Sequence, residues 1–258
     1  MSATTTPMLG VRTLFSKEVR RFMRVYGQTI ASPLITTSLY FVVFGYSIGH
    51  RVGTIEGVSY ARFMVPGLVA LGVIQNAFLN TSSSFFMMKL MGTITDLLVT
   101  PLSYGEILTG FISAAVLRAL MVGALMWLVA AVFTGFSVAN PFFVVAMLVM
   151  ISVAFSALGL CVAIWAEQFE QVNFVPTFVI TPLTFLGGVF YSASMLPPAL
   201  RKFTLVNPLF YMVDGVRWGV LGISDASPLV GLGFVVGLAT VCIGAALWML
   251  RSGWKLRG

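Results

Sequence analysis

His50 is the only histidine among 258 residues, and the two cysteines, Cys161 and Cys242, stand far apart inside apolar runs. A bound metal needs three or four His, Cys or carboxylate ligands, usually at short, recognisable spacings. No such spacing occurs here. H-E-x-x-H, G-x-S-x-G and the phosphate-cradling G-x-x-x-x-G-K-[ST] are missing as well. Asp96, Asp214 and Asp225 fall in connecting segments, so paired-aspartate proteolysis is not expected. The sequence therefore predicts no catalytic residue, no cofactor and no metal in this chain, and no ATP hydrolysis by the chain alone.

The polar groups that remain lie inside apolar runs. Gln75, Asn76, Asn80, Thr81, Ser82, Ser83 and Ser84 share one run, and Arg118 stands alone in another. Polar groups are costly in hydrocarbon and tend to face a bundle interior or a water-filled cavity. Two readings stand for the first set. Gln75, Asn76 and Asn80 line a translocation path, or the set only hydrogen-bonds neighbouring helices, as Ser, Thr and Asn often do. Arg118 either pairs with Glu167 or Glu170 or snorkels to the inner headgroups.

The elements that position these groups must be membrane helices. Hydrophobic residues make up 59% and charged residues 9% of the chain, against about 25% charged in a soluble domain. About 20 apolar residues in a helix cross a hydrocarbon core of about 30 Å. Such runs lie near 29–49, 63–87, 107–133, 141–165, 172–190 and 226–250. Their length and uniformity favour helices over barrel strands. The net charge of +7 gathers at the ends, in Arg12, Lys17, Arg20, Arg21 and Arg24 and in Arg251, Lys255 and Arg257. With Lys89, that distribution puts both termini in the cytoplasm and points to membrane lipid, not nucleic acid.

Residues 1–28 are expected to form a cytoplasmic amphipathic helix ahead of a transmembrane domain over 29–258. Met8, Val11, Phe15, Val19, Phe22 and Tyr26 share one helix face, with Lys17, Arg20, Arg21 and Arg24 roughly opposite, a pattern suited to the interface. No A-x-A-like site marks this end as a cleavable signal. In the loop over 89–105, Thr93 and Asp96 form a weak capping box and Pro101 stops the helix. Its stripe of Ile94, Leu97 and Leu98 either meets a partner or packs on its own bundle. Farther on, Leu196-Pro197-Pro198 and Asn207-Pro208 each start a helix. The second, over 208–221, would be about 21 Å long, with Asp214 and Arg217 paired at i, i+3. A re-entrant helical hairpin dipping into the outer leaflet is expected, with Gly187-Gly188 bending the chain out of the fifth span. Gly233 and Gly237 match a close-packing motif, for a dimer or a neighbouring helix.

Between Pro176 and Gly222, Thr181-Pro182-Leu183, Leu186-Gly187-Gly188-Val189-Phe190-Tyr191, Leu196-Pro197-Pro198 and Asn207-Pro208-Leu209 follow in order, and Leu97-Leu98-Val99-Thr100-Pro101 precedes them. This order resembles the ABC-2 type permeases, the membrane subunits of ATP-driven exporters. The resemblance covers most of the chain. It is nearest to the small single-domain permeases of drug resistance and nodulation-factor export.

The resemblance implies a bacterial inner-membrane protein that works as a dimer, expected to be a homodimer, with two copies of a separate ABC ATPase that binds ATP and Mg. It gives ATPase coupling to Ile94, Asp96, Leu97, Leu98 and Pro101, and a lesser cytoplasmic contact to Glu167, Phe169 and Glu170. The outer re-entrant pair would contain Pro197, Pro198, Asn207, Pro208, Asp214 and Arg217. Spans one, two and five would select a hydrophobic or amphiphilic cargo. The fold expected is thus all-α and membrane-integral, with six transmembrane helices, an N-terminal interfacial helix and a re-entrant hairpin between spans five and six. Two other functions stay open: a scaffold that moves nothing, and a lipid-modifying enzyme, which would need His, Asp or Glu clustered at one membrane depth.

Overall fold

The computed structural model describes residues 7–135 and 137–256. Arg257 and the first six residues of the expected interfacial segment lie outside the described residues, as do the side chains of Met8 and His50. Helix α1, Pro7–Arg24, opens on a proline, whose missing N–H is no loss in a first turn, and closes on Arg21 and Arg24 at the negative end of its dipole. The chain then stays helical but changes winding. Gly27–Ala31 is a π-helix just ahead of Pro33, whose ring would strike the carbonyl four residues back in a regular α-helix. Helix α2, Ser32–Tyr40, a second π segment, Phe41–Ile48, and α3, Gly49–Val52, complete this run. A small antiparallel ribbon follows, β1 Thr54–Ile55 with β2 Val58–Ser59. Glu56 and Gly57 at its turn both have positive φ, as a primed two-residue hairpin turn requires.

Helix α4, Tyr60–Leu90, leads through the short α5, Ile94–Val99, to α6, Tyr104–Thr134, and α7, Pro141–Trp165. A second broken run comprises α8, Phe169–Phe174, the π segment Val175–Ile180 and α9, Thr181–Phe185, interrupted by Pro176 and Pro182. Then come a 3-10 turn, Ala193–Met195, and α10, Pro198–Val206, α11, Pro208–Leu221, and α12, Pro228–Ser252. By length and composition α4, α6, α7 and α12 can cross a membrane. The expected first and fifth spans coincide with the two broken runs. The molecule is an all-α integral membrane protein.

Three expectations need adjustment. The capping box forms at Ser103 and Glu106, not at Thr93 and Asp96. Glu106 N donates to Ser103 Oγ at 3.2 Å, and Ser103 N donates to Glu106 Oε2 at 2.7 Å. Thr93 has helical φ and ψ and makes no side-chain cap bond, whereas Ser103 has the extended backbone that a cap requires. In α1 the deepest line is Leu14, Glu18 and Phe22, with Val11, Phe15 and Val19 only half-buried and Tyr26 exposed. This line packs on α6, where Gly110 makes room for Leu14. Finally, the apolar surface of α11 is turned to protein: it is buried against α4, α7 and α12. Glycine allows this approach. A Cβ on Gly219 would lie 2.6 Å from Val144, and one on Gly231 of α12 would lie 2.7 Å from the Tyr211 carbonyl oxygen. Of the α10–α11 pair, it is α10 that turns apolar side chains outward, among them Phe203 and Val206.

Helix α4 is the axis of the bundle and packs most extensively on α7 and α6. Met64, Val73, Ile74 and Phe78 meet Met147, Ile151 and Phe155 in the main core. Phe85, Phe86 and Phe111 continue into an inner core with Leu160 and Ile164. A Cβ on Gly159 would lie 2.5 Å from the Phe78 carbonyl oxygen, so α4 and α7 touch backbone to backbone there. Among the described residues nothing lies within 4 Å of a Cβ on Gly233 or Gly237, so that motif packs against none of the described helices. Gly159→Ala is therefore expected to cost about 1–3 kcal/mol through overpacking and to lower the melting temperature in detergent. Gly237→Ala should leave it unchanged. Equal effects of the two changes, read by thermal unfolding, would refute the assigned contact.

Candidate functional site

A cavity of about 530 Å³ opens between α1, the first broken run, α4 and the second broken run. Gln75, Asn76, Leu79 and Ser83 recur at helical spacing and turn one face of α4 into it. Thr29, Thr36 and Tyr40 form the opposite wall, and Thr181 and Phe185 a third. Elements of the expected first, second and fifth spans thus enclose it, with Arg118 and Met126 contributed by α6.

Its polar end is organised by Asn80, which is fully buried. Arg21 Nη2 donates to the backbone oxygen and to Oδ1 of Asn80, both at 2.9 Å, and Arg21 Nε donates to Glu18 Oε2 at 3.0 Å. Arg118 Nη1 donates to the same Oδ1 at 3.3 Å. At about 1.5 Å per residue, Asn80 lies roughly 15 Å from the Leu90 end of α4, and Arg118 roughly 21 Å from the Tyr104 end of α6. Higher up, Gln75 Nε2 donates to Thr181 Oγ1 at 3.3 Å, and Thr181 Oγ1 donates to the Pro176 carbonyl at 2.8 Å. Asn76 Nδ2 donates to the Gly72 carbonyl at 3.0 Å. Gln75 and Asn76 thus line the cavity, while Asn80 sits behind it as a hub. Sequence reasoning placed Arg21 on a headgroup-facing side and left Glu18 out. The readable signal was a lone acid three residues before an arginine in an otherwise basic helix.

Arg118 pairs with neither of the expected carboxylates and turns to Asn80 instead. Glu167 Oε1 accepts from Lys255 Nζ at 2.6 Å, which holds the Glu167 carboxyl below its usual range through that hydrogen bond and the lysine charge. Lys89 Nζ donates to the Ile164 and Ala166 carbonyls at 2.7 and 2.8 Å, satisfying the end of α7. Glu170 is exposed, and Phe169 is partly exposed at the cavity rim.

The loop over 89–105 turns its stripe inward. Ile94 and Leu97 are buried in the inner core and Leu98 is half-buried, whereas Asp96 and Pro101 are exposed. Beside them Met91 and Val99 also face out, Val99 at 85% exposure. Any partner of this loop meets that edge, which the periodicity did not single out.

At the opposite end, Asn207 caps α11 by accepting from Leu209 N at 3.0 Å, and it donates to the Leu183 carbonyl. Pro197 and Pro198 open α10, and Pro208 opens α11. Arg217 is buried, 3.6 Å from Asp214 and 4.0 Å above the Phe63 ring, and it also donates to the Gly188 carbonyl. Asp214 accepts from the backbone N–H groups of Asp225 and Ala226 at 3.0 and 2.9 Å. Asp225 in turn accepts from Ser192 Oγ at 2.6 Å and Ala193 N at 2.9 Å. These bonds tie the segment after α9 to α11 and to the start of α12.

The sequence pattern of a family described as "ABC-2 type transporter" matches residues 10–221 of this chain. The inner membrane transport permease YadH of Escherichia coli K12 is 42% identical over 238 residues, covering 91% of this chain and 93% of that protein. Nodulation protein J of Rhizobium meliloti is 30% identical over 224 residues, 86% of this chain and 82% of that one. Its counterpart in Sinorhizobium fredii is 29% identical over 219 residues, 84% and 80% of the two chains.

Arg217→Met would leave Asp214 buried without its cation, a change that costs about 3–5 kcal/mol. Adding Asp214→Asn should recover part of that loss, because the two residues interact directly. Thermal unfolding of the four combinations checks this, and strictly additive effects would rule the pair out as a unit.

Proposed function

This chain belongs to the ABC-2 type transporter family, and on that premise we propose that it is the membrane permease of an ATP-driven exporter. The cargo is a hydrophobic or amphiphilic molecule taken from the cytoplasm or the inner leaflet. The observation that carries this reading is the cavity: a polar, arginine-bearing space held at lipid depth by an apolar bundle. Ionisable groups at that depth are costly and characteristically face a substrate path.

In this reading the broken runs over 27–52 and 169–185 cross the bacterial inner membrane beside α4, α6, α7 and α12, six crossings in all, with both termini in the cytoplasm. Helix α1 rests at the inner interface. Two copies of the permease pair with two copies of a separate ATPase, which binds the ATP and Mg. The permease does no bond chemistry. Closure of the ATPase pair pushes on the exposed edge of α5, at Met91, Asp96, Val99 and Pro101, with Glu167, Phe169 and Glu170 as a second contact. Because Ile94 and Leu97 are buried under the inner core, that push passes into α4 without flexing the loop. Helices α10 and α11 close the path on the far side, where Asp214 and Arg217 hold the closure together.

Two measurements test this. The tagged chain, extracted from its host's membranes in mild detergent, should bring down a soluble ATP-binding subunit in equal amount that turns over ATP. Val99→Cys should cross-link to that subunit. Recovery of the permease alone, with no cross-linked nucleotide-binding partner, would end the exporter reading. Separately, Ser194→Cys and Ser227→Cys, both at exposed positions flanking α10 and α11, should react with an impermeant maleimide from outside. Reaction from opposite sides would mean another crossing between them.

A further inference from the structure

The charges at the polar end of the cavity, with Glu18 buried and Arg21 and Arg118 partly buried, do not balance. Glu18 is the one carboxylate in the group, and Arg21 already engages it. Arg118 has no carboxylate partner among the described residues, and its contact with protein is the Asn80 Oδ1 that it shares with Arg21. Two guanidinium groups and one carboxylate leave a positive charge beside a cavity. The Nε of Arg118 and the Nδ2 of Asn80 are buried without a hydrogen-bond partner. An uncompensated charge held partly out of water is costly, and an anion would relieve that cost. The cavity walls above are mixed: Leu68, Leu71, Leu79, Tyr40 and Phe185 give apolar surface between polar groups such as Thr36, Gln75 and Asn76. A volume of about 530 Å³ falls within the usual small-molecule range of roughly 300–1,000 Å³.

We propose that Arg21 and Arg118, held on Asn80, form a binding site for the headgroup of an anionic amphiphile, whose chain lies along the apolar walls. A phosphodiester fits best: it carries one negative charge, matching the imbalance, and several oxygens that two guanidinium forks can share. Glu18 orients Arg21 and limits the net charge to one. This assignment names a chemical class for the cargo and rests on the exporter reading for the step after binding, but binding itself needs no ATPase.

The test uses the intact permease alone in a nonionic detergent, so its outcome is separate from capture of a partner. Radiolabelled lauroyl lysophosphatidylglycerol is the probe, with monolaurin as its neutral counterpart and dimethyl phosphate as the chainless anion. The lysolipid should bind at least tenfold tighter than either. Arg21→Gln and Arg118→Gln should each weaken it about tenfold or more, Arg118→Lys less so, and raised salt should weaken it too. Glu18→Gln keeps an oxygen for Arg21 and removes the competing charge, so it should tighten binding several-fold. That gain is the decisive sign, because misfolding lowers affinity. Equal binding of monolaurin, or no change in monodisperse Arg118→Gln protein, would overturn the site. Dimethyl phosphate binding as tightly as the lysolipid would overturn the amphiphile. Weaker binding by Glu18→Gln would overturn the charge argument.

Discussion

The contact between Gly159 and the Phe78 carbonyl fixes how near α7 can come to α4, and much of the bundle follows from that distance. In lipid no hydrophobic force drives two apolar helices together, so close packing and hydrogen bonds must do so. Small residues permit it on each side of α4: Gly159 on α7, Gly123 of α6 against Val73, and Gly67 against the Val189 backbone. With three sides of α4 closed by backbone or side-chain contact, its remaining face, carrying Gln75, Asn76 and Ser83, is the one left to line a cavity.

The two ends of the molecule use polar groups differently. At the α5 end Lys89 and Lys255 bond to carbonyls near the end of α7 and to Glu167, which fastens the loops there. At the opposite end the carboxylates of Asp214 and Asp225 accept from backbone N–H groups of neighbouring segments, and Arg217 is enclosed with them. The first arrangement leaves charged side chains partly exposed and cheap to rearrange. The second buries Asp214 and Arg217, so each bond to them is costly to lose.

Much of this was legible in the sequence. Apolar length marked the membrane elements, and the Asn207-Pro208 and Pro197-Pro198 pairs marked helix starts that the structure places at those residues, because Pro and Asn act through local backbone geometry. What could not be read was long-range. The Ile94 and Leu97 stripe has the same periodicity whether it faces a partner or its own core, and only packing decides. Glu18 reads as one acid among many bases until Asn80 and Arg118, distant in sequence, are brought to it. Likewise the apolar content of α11 fits lipid and protein surroundings equally well. The glycines Gly219 and Gly231, which admit close neighbours, tip it inward.

The π-wound stretches Gly27–Ala31 and Val175–Ile180 lie beside Pro33 and at Pro176; the first places Thr29 in the cavity wall, and the second leads into Thr181 on that wall. Wide turns are less favourable than α-turns and concentrate at functional sites. The back wall, by contrast, is α4, which keeps α winding through Pro66 and is locked by glycine contacts. The cavity thus has one stiff wall and two compliant ones. Such a vessel adapts its width to its contents while keeping the height of its arginines constant, so it would discriminate among molecules by where their charge sits more sharply than by how bulky they are.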